Sequence, residues 1–162
     1  MIQCTFEDGV KVNLRHATAD VIVIKDEKIL LVKRSDKLVE GGKWGLTGGY
    51  MDRDETIAEA GAREVLEESG WTVKNMRLLT IRDDPNRRGD PAGRQNIDFG
   101  FVAEGVEKVG EPDWETSEVR WFPLDDLPPR EQIAFDHADI IDLYKRSVSE
   151  NLSLPILAEM LP

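Results

Sequence analysis

Three glutamates at helical spacing, set between two glycine-rich stretches, constrain this chain more than any other feature. Glu64, Glu67 and Glu68 are related as i, i+3 and i+4, so a helix places all three on one face. The proline-free segment Thr56–Ser69 carries its apolar residues on a second arc about 120° away. These apolar residues are Ala58, Ala62, Val65 and Leu66. The pattern predicts a helix that packs on one side, presents carboxylates on the other and ends at Gly70.

Carboxylates that share a helix face repel each other and raise each other's pKa unless a cation compensates. Mg²⁺ and Mn²⁺ prefer carboxylate and carbonyl oxygens, and the adjoining glycines allow the backbone to approach an ion closely. The alternative interpretation is a solvated acidic face, which is common in a chain of net charge −11. The complete spacing of the flanking residues decides between the two.

One fixed order of residues runs from Gly49 to Trp71. Five residues separate Gly49 from Glu55, seven more precede Arg63-Glu64-Val65, and Glu67-Glu68 and Gly70-Trp71 complete the series. This series resembles the signature box of the Nudix hydrolases. Seven such residue types, each with a background of roughly 6–7%, would meet this spacing by chance about once in a million chains. The resemblance implies an α/β fold, a Nudix-type α/β/α sandwich with a mixed β-sheet.

The resemblance also implies a role for the residues of the box, which spans 49–71. Carried over by position, the metal ligands are Glu64, Glu67, Glu68 and the carbonyl of Gly48, and the cofactor is Mg²⁺ or Mn²⁺. A neighbouring cation is expected to orient these carboxylates through charge-assisted hydrogen bonds. By resemblance this cation is Arg63, and its expected hydrogen-bond partner is Glu55 or Glu67.

Nudix enzymes cleave a nucleoside diphosphate linked to another group, and they need a general base. A box glutamate or a residue on a later loop can serve, and Glu115 is the loop candidate, with Glu111 and Glu118 as equally acidic neighbours. An exposed loop acid without a catalytic role is the alternative for each of them. The chain departs from the family pattern at Thr47, where proline is common, and at Trp71, where a small aliphatic residue is usual. Neither departure removes a ligand.

Substrate specificity has to come from outside the box. Pro85 lies fifteen residues after Gly70, a spacing that resembles the ADP-ribose pyrophosphatase subgroup. The loop that follows is locally basic, so Arg88 and Arg94 are candidates for phosphate or carboxylate contacts, and an ordinary turn is the alternative. Arg34 is a further substrate-binding candidate.

Aromatic and imidazole side chains near the box allow two interpretations. Trp44 and Tyr50 flank the box and can stack on a base, although a buried tryptophan in a strand is more often part of the core. His16 and His137 have no partner at a catalytic spacing, so solvent-exposed or helix-end roles are favoured over catalysis.

Alternating and continuous apolar runs predict the remaining elements. Two buried strands, Val21–Ile24 and Ile29–Val32, form a hairpin through a polar turn. Further strands are expected at Val73–Ile81, Ile97–Ala103 and Val119–Phe122, and a final helix is expected from about Ile133 to Ser147. The absence of repeats, linkers and composition shifts favours a single domain over 1–162.

Composition excludes several classes of function. The charge of −11 disfavours bulk nucleic-acid binding, and Cys4 as the sole cysteine excludes an intrachain disulfide or a cysteine-based zinc cluster. No apolar run approaches the length of a bilayer span, and the amino terminus does not match a secretory signal, so no membrane association and a cytoplasmic location are expected. Related enzymes are often homodimers, and the leucine-rich tail 151–162 covers either this chain's core or a partner's.

The function expected from these features is metal-dependent hydrolysis of a small nucleotide, with ADP-ribose as the leading substrate and AMP and ribose 5-phosphate as products. One alternative is a nucleoside triphosphate pyrophosphatase that removes damaged nucleotides. The other is a Nudix-derived domain that senses a nucleotide without turning it over.

Overall fold

The computed structural model describes residues 2–86 and 95–157. In chain order the elements are β1 (Ile2–Thr5), β2 (Lys11–Leu14), β3 (Ala17–Lys25), β4 (Lys28–Arg34), β5 (Trp44–Gly45), β6 (Thr47–Tyr50), α1 (Ile57–Ser69), β7 (Trp71–Arg82), β8 (Ile97–Lys108), β9 (Thr116–Pro123) and α2 (His137–Ser149). The expected hairpin and the three later strands are confirmed, and each strand extends beyond its predicted bounds.

Strand β3 occupies the centre of the main sheet, and residues 18–23 are buried whichever face they point to. It pairs in parallel with β8 and antiparallel with β4, within the order β5-β4-β3-β8-β7. Strand β9 adds to β4. Burial on both faces explains why β3 is a continuous apolar run rather than an alternating one. The predicted mixed sheet is confirmed.

The two helices cover opposite faces of this sheet. One apolar cluster contains Val21 and Val65, so it joins β3 to α1, and the other contains Ile22 and Ile141, so it joins β3 to α2. Successive residues of a strand point to opposite faces, which is why Val21 and Ile22 belong to different clusters. The α/β/α sandwich is therefore confirmed.

The glycine-rich strand β6 pairs with β3 at the place where β4 has diverged from it. Strand β4 pairs with β3 only at residues 23–25, and β6 pairs with β3 at residues 18–21 along the same edge. This register sets Gly48 opposite Asp20 and Gly49 opposite Ala19. A Cβ on Gly48 would lie 2.2 Å from the carbonyl oxygen of Ala19, so no larger residue fits there.

Helix α1 lies within the predicted segment and ends at the expected glycine, but it is rotated relative to the predicted packing. Thr56 caps its first turn through a reciprocal hydrogen-bonded box with Glu59, and Gly70 ends it in the left-handed conformation at φ 73°. The predicted apolar arc is wrong at Leu66, which is 40% exposed, whereas Gly61 and Glu68 are buried. Gly61 allows the close approach, because a Cβ there would lie 3.0 Å from the side chain of Val21.

Helix α2 begins at His137, four residues later than predicted. A short 3-10 turn at Arg130–Gln132 comes first, and the N–H of Ala134 then donates to the carbonyl oxygen of Trp44 at 2.7 Å. Phe135 follows with φ +51°, which is incompatible with a continuous right-handed helix. The apolar periodicity of 133–136 therefore reflects packing against β5 rather than helix.

The amino-terminal hairpin and the carboxy-terminal tail differ in how they pack. The hairpin β1–β2, which was not predicted, forms a separate two-stranded sheet with exposed apolar side chains, namely Ile2, Phe6, Val10 and Leu14. The described part of the tail, 151–157, instead packs on the chain's own core, since Ile156 is buried and its N–H donates to the carbonyl oxygen of Leu79 at 2.7 Å. Neither helix within 2–86 and 95–157 is long and apolar enough to cross a membrane.

Candidate active site

Helix α1 presents its three box glutamates at graded depth rather than on one exposed face. Glu68 is 5% exposed, the side chain of Glu64 is 15% exposed, and that of Glu67 is 49% exposed. The gradient arises because the buried side of the helix, marked by Gly61 and Val65, continues into the position of Glu68. One carboxylate is therefore enclosed by protein while another reaches solvent.

Arg63 joins the acidic residues of the box into one network. Its guanidinium donates to both oxygens of Glu55 at 3.1 and 2.9 Å, and to one oxygen each of Glu64 and Glu67 at 2.9 Å. It also donates to the carbonyl oxygen of Tyr50 at 2.9 Å, which ties α1 to the end of β6. Hydrogen bonds from Arg63 lower the pKa of Glu55, and those to Glu55 raise the pKa of Arg63. The structure thus joins Arg63 to both expected partners and to Glu64 as well.

Glu68 lies against the glycine-rich strand. The N–H of Gly48 donates to its Oε2 at 2.9 Å. Burial raises the pKa of Glu68 well above its usual range despite this bond, and the nearby charges of Glu64 and Glu115 add to the rise. Burial likewise raises the pKa of Glu64. These acids lie where a nearby cation would stabilise their ionised forms.

The donor set matches a hard divalent cation in its chemistry. Among the residues described, no three histidine, cysteine, aspartate or glutamate side chains are already arranged around one ion position. Each box carboxylate nevertheless uses one oxygen in the hydrogen bonds above, namely Oε1 of Glu64, Oε2 of Glu67 and Oε2 of Glu68. A carboxylate has two oxygens, so the second can bind an ion while Arg63 and Gly48 keep the first oriented.

A cavity of about 440 Å³ is lined by two of these carboxylates, Glu64 and Glu68, but not by Glu67. What we call its acidic side is formed by Arg63, Glu64 and Glu68 of α1, and what we call its opposite side is formed by Arg34 at the end of β4 and Phe135 just before α2. A volume of this size lies within the range of small-molecule sites, roughly 300–1,000 Å³. Gly48 and Gly49 of β6 also line the cavity.

Arg34 reaches this cavity from the end of β4, as expected for a substrate-binding residue. Its Nε donates to the carbonyl oxygen of Val39 at 2.9 Å, and its guanidinium lies 4.9 Å from the centre of the Phe135 ring. Its charge also lowers the pKa of Glu68, partly offsetting burial. The side facing the glutamates is therefore cationic and aromatic.

His137 lies at a helix end, one of the two positions that the sequence favoured, but it is not exposed to solvent and lines the cavity. It is the first residue of α2, but it is buried. The N–H of Leu46 donates to its Nδ1 at 2.9 Å, and its Nε2 lies 3.6 Å from Oδ2 of Asp20. Burial lowers the pKa of His137 to about 4, so the ring is neutral at pH 7. A neutral ring with an accepting Nδ1 is suited to holding β6 in place.

Of the three loop acids, the structure brings Glu115 to the cavity. The N–H of Ser35 donates to its carbonyl oxygen at 2.7 Å, which fixes the loop beside the end of β4. Glu111 instead pairs with Lys108 at 3.0 Å, and Glu118 pairs with Arg120. Tertiary position thus separates candidates that were equivalent in the sequence.

The other substrate-binding candidates have different outcomes. Trp44 is 7% exposed and packs edge-on against Phe122 in the core, with ring centres 4.9 Å apart, so the stacking role is wrong for this residue. Pro85 is exposed in the loop after β7, and its carbonyl oxygen accepts from Gln95 at 3.3 Å. Arg88 and Arg94 lie outside the described residues.

Several cavity residues were missed in the sequence. Asp20 was hidden inside an apolar run, Asn96 follows the basic loop, and Phe135 was assigned to the helix. A polar residue within a buried strand is the one available signal, because a buried carboxylate needs partners or a function. Nothing in the local sequence indicated that Phe135 lines the cavity.

Comparison with known proteins identifies the architecture. The NUDIX domain family matches residues 14–144. An ADP-ribose pyrophosphatase from Methanocaldococcus jannaschii is 38% identical over 130 residues, which cover 78% of this chain and 71% of that protein. Two further curated relatives are matched over 54% and 50% of their own length.

Solved structures agree on the fold. A NUDIX hydrolase from Nitrosomonas europaea superposes with a TM-score of 0.75 at 24% identity, covering 96% of this chain and 91% of that one. The NUDIX domain of Shewanella oneidensis NrtR, complexed with ADP ribose, superposes with a TM-score of 0.70 at 24% identity, covering 85% and 90%. The chain belongs to the Nudix family, whose hydrolases generally depend on a divalent metal.

Proposed function

We propose that this Nudix hydrolase converts ADP-ribose and water to AMP and ribose 5-phosphate. The observation that carries the proposal is the network of Arg63 with Glu55, Glu64 and Glu67, of which Arg63 and Glu64 line the cavity together with the buried Glu68. The name of the relative from Methanocaldococcus jannaschii supports this choice of substrate.

Each residue of the acidic side has a task in this reaction. Glu64, Glu67, Glu68 and the carbonyl of Gly48 would hold Mg²⁺ or Mn²⁺, which neutralises the pyrophosphate charge and lowers the pKa of water. Arg63 keeps the carboxylates oriented, so that little reorganisation is needed when substrate binds. The pyrophosphate then lies between these acids and the opposite side of the cavity.

Glu115 is proposed as the general base. It lines the cavity, and its charge raises the pKa of both Glu64 and Glu68, which indicates that it is close to them. A base within reach of the attacking water contributes typically 10²–10⁴-fold to the rate. Replacing Glu115 with Gln is expected to lower kcat by about 10²-fold, whereas Glu111→Gln, a matched change on the same loop, retains it. Equal kcat values for the two variants would remove Glu115 from this role.

The substrate-side proposal includes Arg34 as a substrate contact, because its side chain lines the same cavity as Glu64 and Glu68. Pro85, Arg88 and Arg94 remain candidates for selecting the group attached to the nucleotide. A small nucleotide rather than a nucleic acid fits both the cavity volume and the charge of −11. We also propose a single domain over 1–162 and a cytoplasmic location.

A homodimer is part of the proposal. An isolated two-stranded hairpin is marginally stable in water, yet one face of β1–β2 exposes Ile2, Phe6, Val10 and Leu14. A second copy of the chain would cover this face. Sedimentation equilibrium is expected to give a dimer for the protein and a monomer for Phe6→Ser. A monomeric unmodified protein would contradict this part of the proposal.

The decisive experiment is a turnover panel with products identified by mass. ADP-ribose, NADH, diadenosine polyphosphates and nucleoside triphosphates are each incubated with Mg²⁺, with Mn²⁺ and with chelator. AMP and ribose 5-phosphate released from ADP-ribose, with the release abolished by chelator, is the expected result. Water labelled with ¹⁸O then reports which phosphorus is attacked.

Other outcomes correspond to the alternative functions. Release of pyrophosphate from a triphosphate would replace ADP-ribose with a damaged nucleotide and keep the acidic helix. Tight ADP-ribose binding without turnover on any substrate would favour a sensor.

A further inference from the structure

Phe135 is an aromatic residue that lines the cavity and has no role in the hydrolysis described above. In the segment 133–138, Phe135 is half-buried and lines the cavity, whereas the other five residues are buried. A phenyl ring that remains partly accessible inside a cavity forgoes the stabilisation of full burial. Such a ring is available for an apolar or aromatic part of a ligand.

The backbone at this residue is held in an unfavourable conformation. Phe135 has φ +51°, a region that bulky side chains rarely occupy. Its N–H donates to Oε2 of Glu40 at 2.9 Å, across 95 positions of sequence. The same oxygen of Glu40 accepts from Nζ of Lys43 at 3.0 Å. Strain that the surrounding structure enforces in this way is typical of functional sites.

The ring is also oriented by a cation. The guanidinium of Arg34 lies 4.9 Å from its centre, and the carbonyl oxygen of Val39 holds Nε of Arg34 at 2.9 Å. The loop between β4 and β5 therefore fixes both Arg34, through Val39, and Phe135, through Glu40. Flat delocalised groups stack favourably on aromatic and guanidinium planes.

The charge pattern assigns an end of the substrate to each side. Phosphates need the cation that Glu64 and Glu68 would hold, whereas a neutral base has no such requirement. We propose that Phe135, together with Arg34, forms the stacking surface for the nucleoside base of the substrate, and that Glu40 is the residue that positions Phe135. The proposal rests on the proposed function for the choice of a nucleotide, and it names the base end of that ligand.

The test compares two ligands that differ in the base. AMP consists of adenine, ribose and a phosphate, and ribose 5-phosphate is the sugar phosphate without the base. Calorimetric titration in the presence of Mg²⁺ gives Kd for each, on the unmodified protein, Phe135→Leu and Phe135→Tyr. Tyr144→Leu on α2 is the matched control, because it removes a half-buried aromatic ring that does not line the cavity.

Loss of stacking is expected to weaken AMP binding about tenfold in Phe135→Leu and to leave ribose 5-phosphate binding unchanged. Phe135→Tyr and Tyr144→Leu are expected to bind AMP within twofold of the unmodified protein. With ADP-ribose as substrate, KM rises in Phe135→Leu while kcat remains within about twofold. Unchanged AMP binding in Phe135→Leu, or equal weakening for both ligands, would overturn the proposal.

Glu40 provides a second route that leaves the ring intact. Glu40→Ala is expected to weaken AMP but not ribose 5-phosphate, and Glu40→Gln, whose amide oxygen can still accept from Phe135, is expected to restore most of the affinity. AMP affinity that is unchanged in Glu40→Ala would overturn the positioning role.

Failure of the hydrolase assignment has a different signature. A protein that does not turn over ADP-ribose, but whose AMP affinity still falls selectively in Phe135→Leu, supports the stacking surface and refutes the reaction. Turnover of ADP-ribose with unchanged KM in Phe135→Leu supports the reaction and refutes the stacking surface.

Discussion

The two sides of the cavity are built in opposite ways. The acidic side comes from one continuous stretch, 48–70, in which a capped helix and its preceding strand are joined by Arg63. The opposite side joins residues far apart in the chain, as in the bonds from Phe135 to Glu40 and from Leu46 to His137. Short-range contacts form at little loop-closure cost, whereas contacts across 90 positions depend on the whole fold. We therefore expect the acidic side to be altered by substitutions within 48–70. We expect the opposite side to be altered by substitutions that lower the stability of the whole fold.

The largest expected effect comes from removing one of the proposed metal ligands on the acidic side. Glu68→Gln keeps the shape and the bond from Gly48 but loses the charge that a cation requires, so kcat should fall on the order of 10³-fold. Burial raises the pKa of Glu68, so the neutral amide should not reduce the free energy of unfolding. Steady-state kinetics and chemical denaturation check both statements.

Glu59→Gln is the matched control for this change. It lies on the same helix, and glutamine can maintain the capping box with Thr56, so activity should remain near normal. A comparable loss of kcat in both variants would mean that the helix, rather than the ligand, has been damaged.

On the opposite side, His137 should make stability depend on pH. Its folded-state pKa is about 4 and its unfolded value is near 6.5, so between these pH values the unfolded chain binds more protons. Stability is fully present above about pH 6.5 and is lost as the pH falls toward 4, by up to about 3 kcal/mol. The groups around it that also affect this titration are Asp20, Asp98, Asp136, Arg34 and Arg82.

Denaturant unfolding at pH 7 and pH 5 measures this contribution. In His137→Asn, whose side-chain oxygen can still accept from Leu46, the loss of stability between these pH values should be smaller by about 2 kcal/mol. Identical pH dependence in the variant and the unmodified protein would show that the buried ring does not control it.

Arg63→Lys tests how far the acidic side relies on geometry rather than charge. Lysine keeps the charge but cannot bind Glu55 through two parallel hydrogen bonds while also reaching Glu64 and Glu67. Loss of such orienting bonds typically costs 10–100-fold in metal affinity or activity, so kcat should fall by about that factor. Metal titration of activity separates weaker ion binding from slower turnover. A variant with normal kcat and metal affinity would reduce Arg63 to a structural ion pair.

The smallest expected effect is at the beginning of α1. Thr56→Ala removes the side-chain acceptor for the N–H of Glu59, and such substitutions cost about 1 kcal/mol of stability. Thr56→Ser should retain it. Thermal unfolding measures the difference, and kcat should stay within about twofold because the cap is far from the ligands. A large loss of kcat would show that the box and its cap are coupled more strongly than the local geometry indicates.

Local patterns predicted the elements that depend on neighbouring residues. The hairpin β3–β4, the bounds of α1 and the stop at Gly70 were all predictable, because turn, cap and periodicity signals act over a few residues. The burial of Glu68 was not predictable, because a helical wheel gives only the angle of each side chain around the helix axis. Packing against the sheet decides which of these side chains are buried. Because Gly61 is small, α1 packs closely against β3 there, and the buried side of the helix includes Glu68.

The sequence by itself determined the family and the carboxylate helix, because those residues interact within about twenty positions of each other. The tertiary structure alone decided that Trp44 belongs to the core and Phe135 to the cavity. It also selected Glu115 among three similar acids and buried His137 beside Asp20. Such choices depend on which distant segments meet across the sheet, and neither residue type nor spacing in the chain records that packing.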